Sequence, residues 1–334
     1  MLRQLWSRVR GFVTRLFRRV PVPGRYEADS RSALRGSLAT APFIWPSREY
    51  VVYVPRGHSH WRRAPLLVLI HGCRQKAEEI AEGTRITTLA DELGCLVLLP
   101  RQNPRANTWG CWNWFDGATE RGWGETAIVA AQIRAVRRKY RIDRKRVFVA
   151  GMSAGGALAA VLGIRRPELV AGVFIHSGIA CGAASSALAA FNVLKRGADT
   201  DVVAIGRDAR EAAPPRTLPV PLLALQGAQD DIVAPVNAAH LVRQYLALNG
   251  HPAADIGVRD ALPAPDQVSA ETLVDARIVT SSDWRVGDRI VVRHVLVDGL
   301  GHAWSGGDDR HPYNDPRAPD ATALLSAFVH RAMQ

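Results

Sequence analysis

The sequence predicts an α/β fold in which a mostly parallel central sheet carries helices on both faces. Short β-branched or leucine-rich runs alternate along the chain with longer helical stretches, as in proteins of this class. Most of the short runs are continuously apolar, which is typical of strands that are covered on both faces. With 334 residues, 47% of them hydrophobic, the chain is long enough to bury a large core. We therefore expect one α/β domain over residues 25–334.

The order of predicted elements follows from these runs. The predicted strands are Tyr50–Val54, Leu66–Ile70, Cys95–Leu99, Val147–Ala150, Val170–Ile175, Pro221–Leu225 and Ile290–Val297, and the predicted helices are Ile80–Leu93, Glu125–Lys139 and Ala154–Ile164. Two stretches fit the alternation poorly. Residues 181–216 are alanine-rich and polar, and form either a cap over a site or a plain surface excursion. Residues 251–289 are consistent with a hairpin that leads into the last strand.

Residues 1–24 form a separate basic segment. Seven arginines, the last of them Arg25, precede the first acidic residue, Glu27, and so contribute +7 of the formal net charge of +12. Apolar residues recur at steps of three and four from Leu2 to Val20, which predicts a basic amphipathic helix. Such a helix suits contact of residues 1–20 with an anionic membrane or a polymer-granule surface. The alternative is a helix that packs on its own domain.

The rest of the composition excludes several classes of partner. Without the seven arginines the net charge is +5 (12 − 7), and no motif that reads nucleic acid is present, so we expect no nucleic-acid partner. No apolar stretch reaches the ~20 residues that a membrane-spanning helix needs. Histidine, cysteine and acidic residues are not clustered with ligand spacing, so we predict no metal and no cofactor.

Ser153 lies in the segment Gly151-Met152-Ser153-Ala154-Gly155, between a predicted strand and a predicted helix. A sharp strand-to-helix turn of this kind exposes the serine hydroxyl above the sheet and directs the helix N-terminus at developing negative charge. The five-residue pattern alone is weak, because glycine and serine are common. Its flanking strand and helix make it specific, and they predict an α/β-hydrolase fold with Ser153 as nucleophile.

A serine nucleophile needs a base, and this fold orders its catalytic residues as serine, acid and histidine. His302 follows the last predicted strand in a glycine-flanked loop, so we predict that it is the base. The acid is expected after Pro221–Leu225, where Asp230 and Asp231 are both candidates. We favour Asp230; the other aspartate would then cap a helix or face water.

Two backbone N–H groups are candidates to bind the oxyanion of a tetrahedral intermediate. One belongs to Ala154, directly after the nucleophile, and the other to Cys73, in the loop after Leu66–Ile70. Four tryptophans near the proposed site are candidate substrate-binding residues, with core packing as the alternative for each. They are Trp109, Trp112, Trp114 and Trp304.

Several motifs together resemble the poly(3-hydroxybutyrate) depolymerase family of esterases, which are related to feruloyl and acetylxylan esterases. They are Leu69-Ile70-His71-Gly72-Cys73, Cys111-Trp112-Asn113-Trp114-Phe115, Gly151-Met152-Ser153-Ala154-Gly155-Gly156, His176-Ser177-Gly178 and Gly301-His302-Ala303-Trp304-Ser305-Gly306-Gly307. The resemblance runs from about Arg48 to the carboxy terminus and implies an α/β-hydrolase fold.

This resemblance also bears on individual residues. It implies a triad of Ser153, Asp230 and His302, because Gln226–Val233 aligns with the family segment that carries the acid. The sequence departs from the family pattern at Gln226, where histidine is usual. The resemblance further implies that Cys73 and Cys111 pair.

The function expected from these residues is hydrolysis of poly(3-hydroxybutyrate)-type polyesters or their oligomers through an acyl-enzyme. A feruloyl, acetylxylan or other small-ester esterase is the first alternative, and a non-catalytic granule- or membrane-binding protein is a second. The interrupted apolar run at the amino terminus disfavours a secretory signal peptide. We therefore expect a cytoplasmic or granule- or membrane-peripheral protein, with an extracellular location, common in the resembled family, as the alternative.

Overall fold

A computed structural model describes residues 24–32, 47–59, 61–215 and 217–333. The helix predicted for residues 1–20 lies outside the described residues. Among the helices that the structure does describe, none combines the length and the apolar character that a bilayer span requires.

The helices and strands are numbered here in chain order. The strands β1 to β12 are Arg25–Ser32, Ser47–Val54, Ala64–Ile70, Leu96–Pro100, Ile142–Met152, Gly172–His176, Leu222–Gly227, Gln267–Thr272, Ile278–Val286, Arg289–Val297, Trp304–Ser305 and Asn314–Asp315. The helices α1 to α9 are Ala77–Gly83, Ile86–Leu93, Gly117–Glu120, Gly124–Lys139, Ala154–Arg165, Ala187–Arg196, Val202–Ala212, Val236–Asn249 and Ala321–Met333. Two short 3₁₀ helices cover Pro167–Leu169 and Pro252–Asp255.

One ten-stranded sheet has the order β1-β2-β4-β3-β5-β6-β7-β10-β9-β8. Every neighbouring pair from β4 across to β10 is parallel, whereas β1 and β2 at one side and β9 and β8 at the other are antiparallel. The predicted parallel centre is therefore confirmed. Because parallel strands end at the same edge, the loops after β3, β5, β7 and β10 meet at one edge of the sheet.

Both faces of the sheet are covered. Along β3, Leu66, Val68 and Ile70 belong to one buried cluster, and Leu67 and Leu69 belong to a second cluster on the opposite face. This double burial is the physical reason that the central strands are continuously apolar in sequence.

The helix predicted over Ile80–Leu93 is divided into α1 and α2. Arg85 has a left-handed backbone (φ 53°), which ends α1 and begins α2. The carboxy-terminal part of the chain takes up the carbonyl groups there: Asp308 N–H donates to Gly83 O (2.8 Å), and Thr322 Oγ1 donates to Thr84 O (2.6 Å). Contacts from over 200 residues away in sequence thus override the local helical pattern.

The two stretches that fitted the alternation poorly both contain regular secondary structure. Strands β8 and β9 form an antiparallel hairpin, and β9 pairs in turn with β10, which confirms the hairpin predicted within residues 251–289. In residues 181–216 the structure has α6 and α7. Helix α7 packs on α8, whereas α6 lies over the edge of the sheet where the candidate site is found.

Candidate active site

Ser153 occupies the turn between β5 and α5 in a strained backbone conformation (φ 56°, ψ −124°). Its N–H donates to His176 O at 3.0 Å, which fixes the turn against β6. A Cβ on Gly151 would lie 2.3 Å from Gly155 O, and a Cβ on Gly155 would lie 2.1 Å from Ile70 O. The two glycines of the motif are therefore required by the close approach of three backbone segments.

Asp230 and His302 are hydrogen-bonded at the same edge. His302 Nδ1 is 2.9 Å from Asp230 Oδ2 and 3.1 Å from Oδ1. The carboxylate is buried and also accepts the backbone N–H groups of Ile232 (3.0 Å) and Val233 (2.8 Å). The neighbouring Asp231 is exposed. The structure thus distinguishes two aspartates that the residues alone left as alternatives.

The charge state of Asp230 follows from its partners. Burial raises the pKa of this carboxyl, but the hydrogen bond and positive charge of His302, with donors at Val233 and Ser177, outweigh burial and leave the pKa below its ordinary value. An ionised carboxylate only accepts hydrogen bonds, so the proton of the shared bond lies on His302 Nδ1. The other ring nitrogen, Nε2, is then free to act as a base.

A cavity of about 480 Å³ opens at this edge, and Ser153 and His302 both contribute to its wall. Asp230 lies behind His302 and does not line the cavity. Most other lining side chains are apolar or aromatic: Trp109, Trp114, Phe115, Ala187, Ala190, Phe191, Leu194, Ile232 and Tyr313. An apolar cavity with a few convergent polar groups is typical of a small-molecule or acyl-chain site.

Ala154 and Cys73, the residues that carry the two candidate oxyanion donors, both line this cavity. Ala154 is the first residue of α5, so its N–H has no acceptor within the helix. Cys73 forms a disulfide with Cys111, as the family resemblance implied. Next to it, Arg74 N–H donates to Trp109 O at 2.9 Å. The loop after β3 is thereby tied to the tryptophan segment at two points.

Removing this disulfide is expected to destabilise the protein. The bond joins residues separated by 38 positions, and closing a loop of that length restricts the unfolded chain by about 4 kcal/mol in the loop-entropy model. Changing both Cys73 and Cys111 to serine should lower the free energy of unfolding by up to about this amount, measured by urea titration. The double change Cys95→Ala with Cys181→Ala, at the two free cysteines, controls for cysteine loss. Equal stability of wild type and the serine variant would contradict the expectation.

The structure brings two of the four tryptophans to the cavity. Trp109 is 59% exposed at its rim, where the Arg74 guanidinium lies 4.5 Å from the ring centre, and Trp114 lines the interior. Trp112 and Trp304 are not among the lining residues, and the expectation that they bind substrate needs correction. Both are fully buried in the core.

The surroundings of these two buried rings explain the difference. The Trp112 ring packs against His71, with ring centres 5.4 Å apart. The Trp304 ring stacks on His176 at 5.4 Å, and its Nε1 donates to Thr322 Oγ1 at 3.1 Å. Although these two tryptophans are close to site residues in sequence, their rings do not line the cavity. They support the residues behind the site instead.

Three residues behind Asp230 were not assigned a role from sequence. Gln226 Nε2 donates to Asp230 Oδ2 (3.2 Å) and to Val233 O (3.0 Å), so the residue that departs from the family pattern still holds the acid loop. The Ser177 hydroxyl also bonds to Asp230 and lies 3.1 Å from His176 Nδ1. Burial first, and then the charge of His302, lower the pKa of His176 to about 3, so it stays neutral beside the acid.

Helix α6 supplies a wall of the cavity that sequence reasoning missed. Its lining residues are Ala187, Ala190, Phe191 and Leu194. They are spaced at three, four and seven residues, which is the spacing of one helical face, so the signal was present in the sequence. The alanine-rich, polar composition around them obscured it. The sequence left two alternatives for residues 181–216, a cap over a site or a plain surface excursion. Helix α6 partly covers the site, so for this helix the first alternative applies.

Glu120 anchors the loop that leads into α6. Its carboxylate accepts backbone N–H groups of Gly182 and Ala184, and burial raises its pKa to about 7 from an ordinary 4.5. Between these two pH values the unfolded chain releases a proton that the folded chain keeps. The free energy of unfolding should therefore fall as pH rises from about 4.5 to 7, by on the order of 1 kcal/mol because the group is partly solvated.

The variant Glu120→Gln removes this titration and keeps an oxygen acceptor for the two N–H groups. Urea titrations at several pH values should show a flatter pH dependence than wild type over this range. The exposed Glu168→Gln variant is the charge-matched control. An unchanged slope in Glu120→Gln would contradict the role given to burial.

Among the residues that the structure describes, no group of three or more His, Cys, Asp or Glu side chains is arranged to hold a metal ion. The chemistry available at this edge is that of a serine hydroxyl, an imidazole with a buried carboxylate behind it, and two backbone donors. These groups suffice for nucleophilic acyl transfer.

Comparison with known proteins places the chain in a family. The family model described as esterase PHB depolymerase matches residues 48–269, which confirms the resemblance seen in the motifs. The chain is 31% identical to poly(3-hydroxyalkanoate) depolymerase C of Paucimonas lemoignei over 59% of this chain and 48% of that protein. It is 27% identical to feruloyl esterase B of Neurospora crassa over 54% of this chain and 63% of that protein. The chain spans about half the length of the curated relatives it matches.

Solved structures agree on the fold. The acetyl xylan esterase from Aspergillus awamori superposes with a TM-score of 0.63 at 20% identity, covering 83% of this chain and 94% of that one. An S-formylglutathione hydrolase from Agrobacterium tumefaciens gives a TM-score of 0.54 at 16% identity, covering 94% and 98%. At these identities the likeness concerns the fold, and the predicted α/β-hydrolase fold is confirmed.

Proposed function

The chain belongs to the PHB depolymerase family of esterases, and on that premise we propose that it hydrolyses carboxylic esters through an acyl-enzyme on Ser153. The observation that carries the proposal is the arrangement at the edge of the sheet. A strained serine and an imidazole bonded to a buried carboxylate share one apolar cavity. Family membership and this arrangement support the same chemistry from independent directions.

In the proposed reaction, His302 Nε2 takes the hydroxyl proton as Ser153 Oγ attacks the ester carbonyl carbon. The oxyanion is held by the N–H groups of Ala154 and Cys73, and Asp230 stabilises the imidazolium. The carbonyl re-forms, the bond to the alcohol breaks, and His302 returns the proton to that alcohol. Water, deprotonated by the same imidazole, then attacks the acyl carbon. The bond to Ser153 Oγ breaks, His302 returns the proton to Oγ, and the acid is released.

The substrate we propose is a polyester of short hydroxyacids such as poly(3-hydroxybutyrate), or its oligomers. Relatives named poly(3-hydroxyalkanoate) and poly(3-hydroxybutyrate) depolymerases support this choice. The cavity supports it as well, since its aromatic and aliphatic walls can bury the methyl-bearing backbone of such a chain. Trp109 and Phe191 line the cavity and are exposed at its rim, so both side chains are available to contact a substrate.

Product analysis tests the substrate. Amorphous poly(3-hydroxybutyrate) is incubated with wild type and with Ser153→Ala, and soluble products are separated by chromatography. Release of 3-hydroxybutyrate or its oligomers by wild type alone is expected. Hydrolysis of soluble aryl esters without any release from the polymer would contradict the polyester assignment and leave the esterase assignment standing.

The exposed rim predicts a difference between polymer and small substrates. Changing Trp109 and Phe191 together to alanine removes apolar contact with an extended substrate, so polymer hydrolysis should fall roughly 10-fold or more. The kcat for a soluble acetate ester should change far less. Trp61→Ala is the matched control, because Trp61 is 87% exposed and does not line the cavity. Equal losses on polymer and acetate ester would contradict a role in polymer binding.

A second candidate is hydrolysis of small carboxylic esters such as feruloyl or acetylxylan groups. Relatives named feruloyl esterase B and probable acetylxylan esterase A favour it. The same residues would serve, and only the occupant of the cavity would differ. Comparison of kcat/KM for methyl ferulate, acetylated xylan and hydroxybutyrate oligomers separates the two.

For the amino-terminal segment, we propose contact with a membrane or granule surface through residues 1–20, and a cytoplasmic or surface-peripheral location. The support is the pattern of arginine and apolar residues in the sequence. Deleting residues 1–22 and measuring co-sedimentation with membranes or polyester particles tests this. Undiminished co-sedimentation would count against it.

A further inference from the structure

Four arginines surround a shallow cavity of about 460 Å³ at the end of α4 and the start of β5. They are Arg134, Arg137, Arg138 and Arg144, and together they are here called the arginine face. Arg134, Arg138 and Arg144 are exposed and Arg137 is half-buried. The proposed ester hydrolysis makes no use of this cavity, which lies outside the candidate active site.

Positive charge on this face is poorly balanced. From Arg134 to Arg146 the chain has eight basic residues and one acidic residue, Asp143. Asp143 pairs with Arg146 (3.0 Å) and Glu168 pairs with Arg134 (3.6 Å). Lys139 pairs with Glu27 at 2.9 Å.

Of the four arginines of the arginine face, three take part in none of these ion pairs. Within the described part of the chain, Arg137, Arg138 and Arg144 have no salt bridge to a carboxylate. Burial first, and then the charges of Arg144 and Arg134, lower the pKa of Arg137. Guanidinium groups that line one cavity without a carboxylate partner form a site that an external anion would stabilise.

The arginine face lies at the edge of the sheet opposite the candidate active site. Strand β5 begins at Ile142, which lines the arginine cavity, and its last residue directly precedes Ser153. Ile142 and Gly151 pair with Ala64 and Ile70 of β3, which are six residues apart, so the two ends of β5 are roughly 20 Å apart. A surface bound at the arginine face would leave the catalytic cavity open to the other side.

The amino-terminal segment enters at this same edge. Strand β1 starts at Arg25, opposite Val54 at the end of β2, and β2 runs antiparallel to the parallel strands. Two residues later, Glu27 accepts hydrogen bonds from Lys139 Nζ (2.9 Å) and Tyr140 Oη (2.5 Å), next to the arginine face. Six further arginines precede Gly24 in the sequence, so their point of attachment adjoins the unpaired arginines.

We propose that the arginine face docks the protein onto an anionic phospholipid surface, with the catalytic cavity directed away from the lipid. Phosphate headgroups would pair with Arg137, Arg138 and Arg144. The segment attached beside them interleaves its arginines with leucine, valine, phenylalanine and tryptophan. Such apolar residues gain free energy at a lipid interface and have no comparable use along a nucleic-acid backbone, which is why we choose lipid.

Co-sedimentation with vesicles tests the proposal on the full chain. Vesicles of phosphatidylcholine with phosphatidylglycerol are compared with pure phosphatidylcholine. Wild type should bind the anionic vesicles and leave the neutral ones unbound. The variant Arg137→Gln, Arg138→Gln, Arg144→Gln should bind anionic vesicles roughly 100-fold more weakly, since each basic residue near such a surface contributes about fivefold.

A charge-matched variant carries Arg105→Gln, Lys195→Gln and Arg196→Gln. These residues are exposed, and they lie in the loop after β4 and the last turn of α6, away from the arginine face. Its vesicle binding should stay within a few-fold of wild type. Thermal melting of both variants shows that folding is intact without reference to ester hydrolysis, so failure of the proposed function would leave this test valid.

Three results would overturn the proposal. The first is an arginine-face variant that binds anionic vesicles as tightly as wild type does. The second is a charge-matched variant whose affinity for these vesicles falls as much as that of the arginine-face variant. The third is tighter binding of a DNA duplex than of anionic vesicles at the same salt concentration, which would make nucleic acid the partner.

A separate measurement tests the orientation of the bound protein. The rate on a soluble aryl ester should be the same with and without saturating anionic vesicles, and a rate that falls with the bound fraction would contradict the outward-facing cavity.

Discussion

Replacing Ser153 with alanine is expected to lower kcat for a soluble ester by on the order of 10⁶-fold. Without the hydroxyl no acyl-enzyme forms, and the imidazole of His302 has no nucleophile to deprotonate. What remains is water attacking a carbonyl that the N–H groups of Ala154 and Cys73 still polarise. The loss should fall on kcat with little change in KM, because the apolar walls that bind the substrate are untouched.

Steady-state kinetics with a p-nitrophenyl ester measure this change. Ser269→Ala is the matched control, since Ser269 is exposed on β8, distant from the cavity in the fold, and should retain the wild-type rate. Near-ultraviolet circular dichroism would verify the packing of the aromatic core in both variants. Residual activity above about a hundredth of wild type in Ser153→Ala would contradict the assignment of the nucleophile.

Replacing Asp230 with asparagine is expected to lower kcat by about 10⁴-fold. Oδ1 can still accept the N–H groups of Ile232 and Val233, so the new amide nitrogen takes the place of Oδ2, which lies 2.9 Å from His302 Nδ1. An amide donor there favours the tautomer of His302 that carries its proton on Nε2. That tautomer cannot take the proton of Ser153.

Asp231→Asn is the matched control for this substitution. It makes the same chemical change one residue away on an exposed side chain, and its kcat should stay within about twofold of wild type, as for most surface substitutions. Equal losses in the two variants, or a larger loss in Asp231→Asn, would contradict the assignment of the acid.

The contribution of Asp230 to the free energy of unfolding depends on pH in a known direction. Since its folded pKa is below the ordinary value of 3.8, the carboxylate contributes stability above that value, and the contribution is lost as pH falls through the folded pKa. At neutral pH the group is ionised and can hold the imidazolium of His302. A fall in wild-type kcat near neutral pH would therefore have to come from another group.

Local sequence patterns predicted the centre of the fold well, because there the local and the tertiary demands agree. The run around Val147–Ala150 is apolar on both faces of β5, and the turn after it needs glycine at Gly151 and Gly155 for reasons that the pattern itself encodes. Local patterns did not predict the break between α1 and α2. It depends on donors from Asp308 and Thr322, which are close only after folding.

The candidate site likewise contains residues that local sequence identifies and residues that it does not. Ser153 and His302 are recognisable from their position after strands, whereas Asp230 and Asp231 differ in burial, which adjacent sequence positions do not reveal. Trp304 stands two residues from His302 in sequence, yet its backbone pairs in β11 and its ring points into the core. Burial and direction of a side chain in a loop depend on partners distant in sequence, here Thr322 and His176.

Ser153, activated by His302 and Asp230, is expected to become acylated. The most direct test is labelling with a fluorophosphonate, followed by peptide mass mapping of wild type, His302→Ala and the Asp231→Asn control. We expect one adduct per chain on Ser153, formed rapidly in wild type and Asp231→Asn and greatly slowed in His302→Ala. No adduct, or an adduct on a different residue, would contradict this expectation.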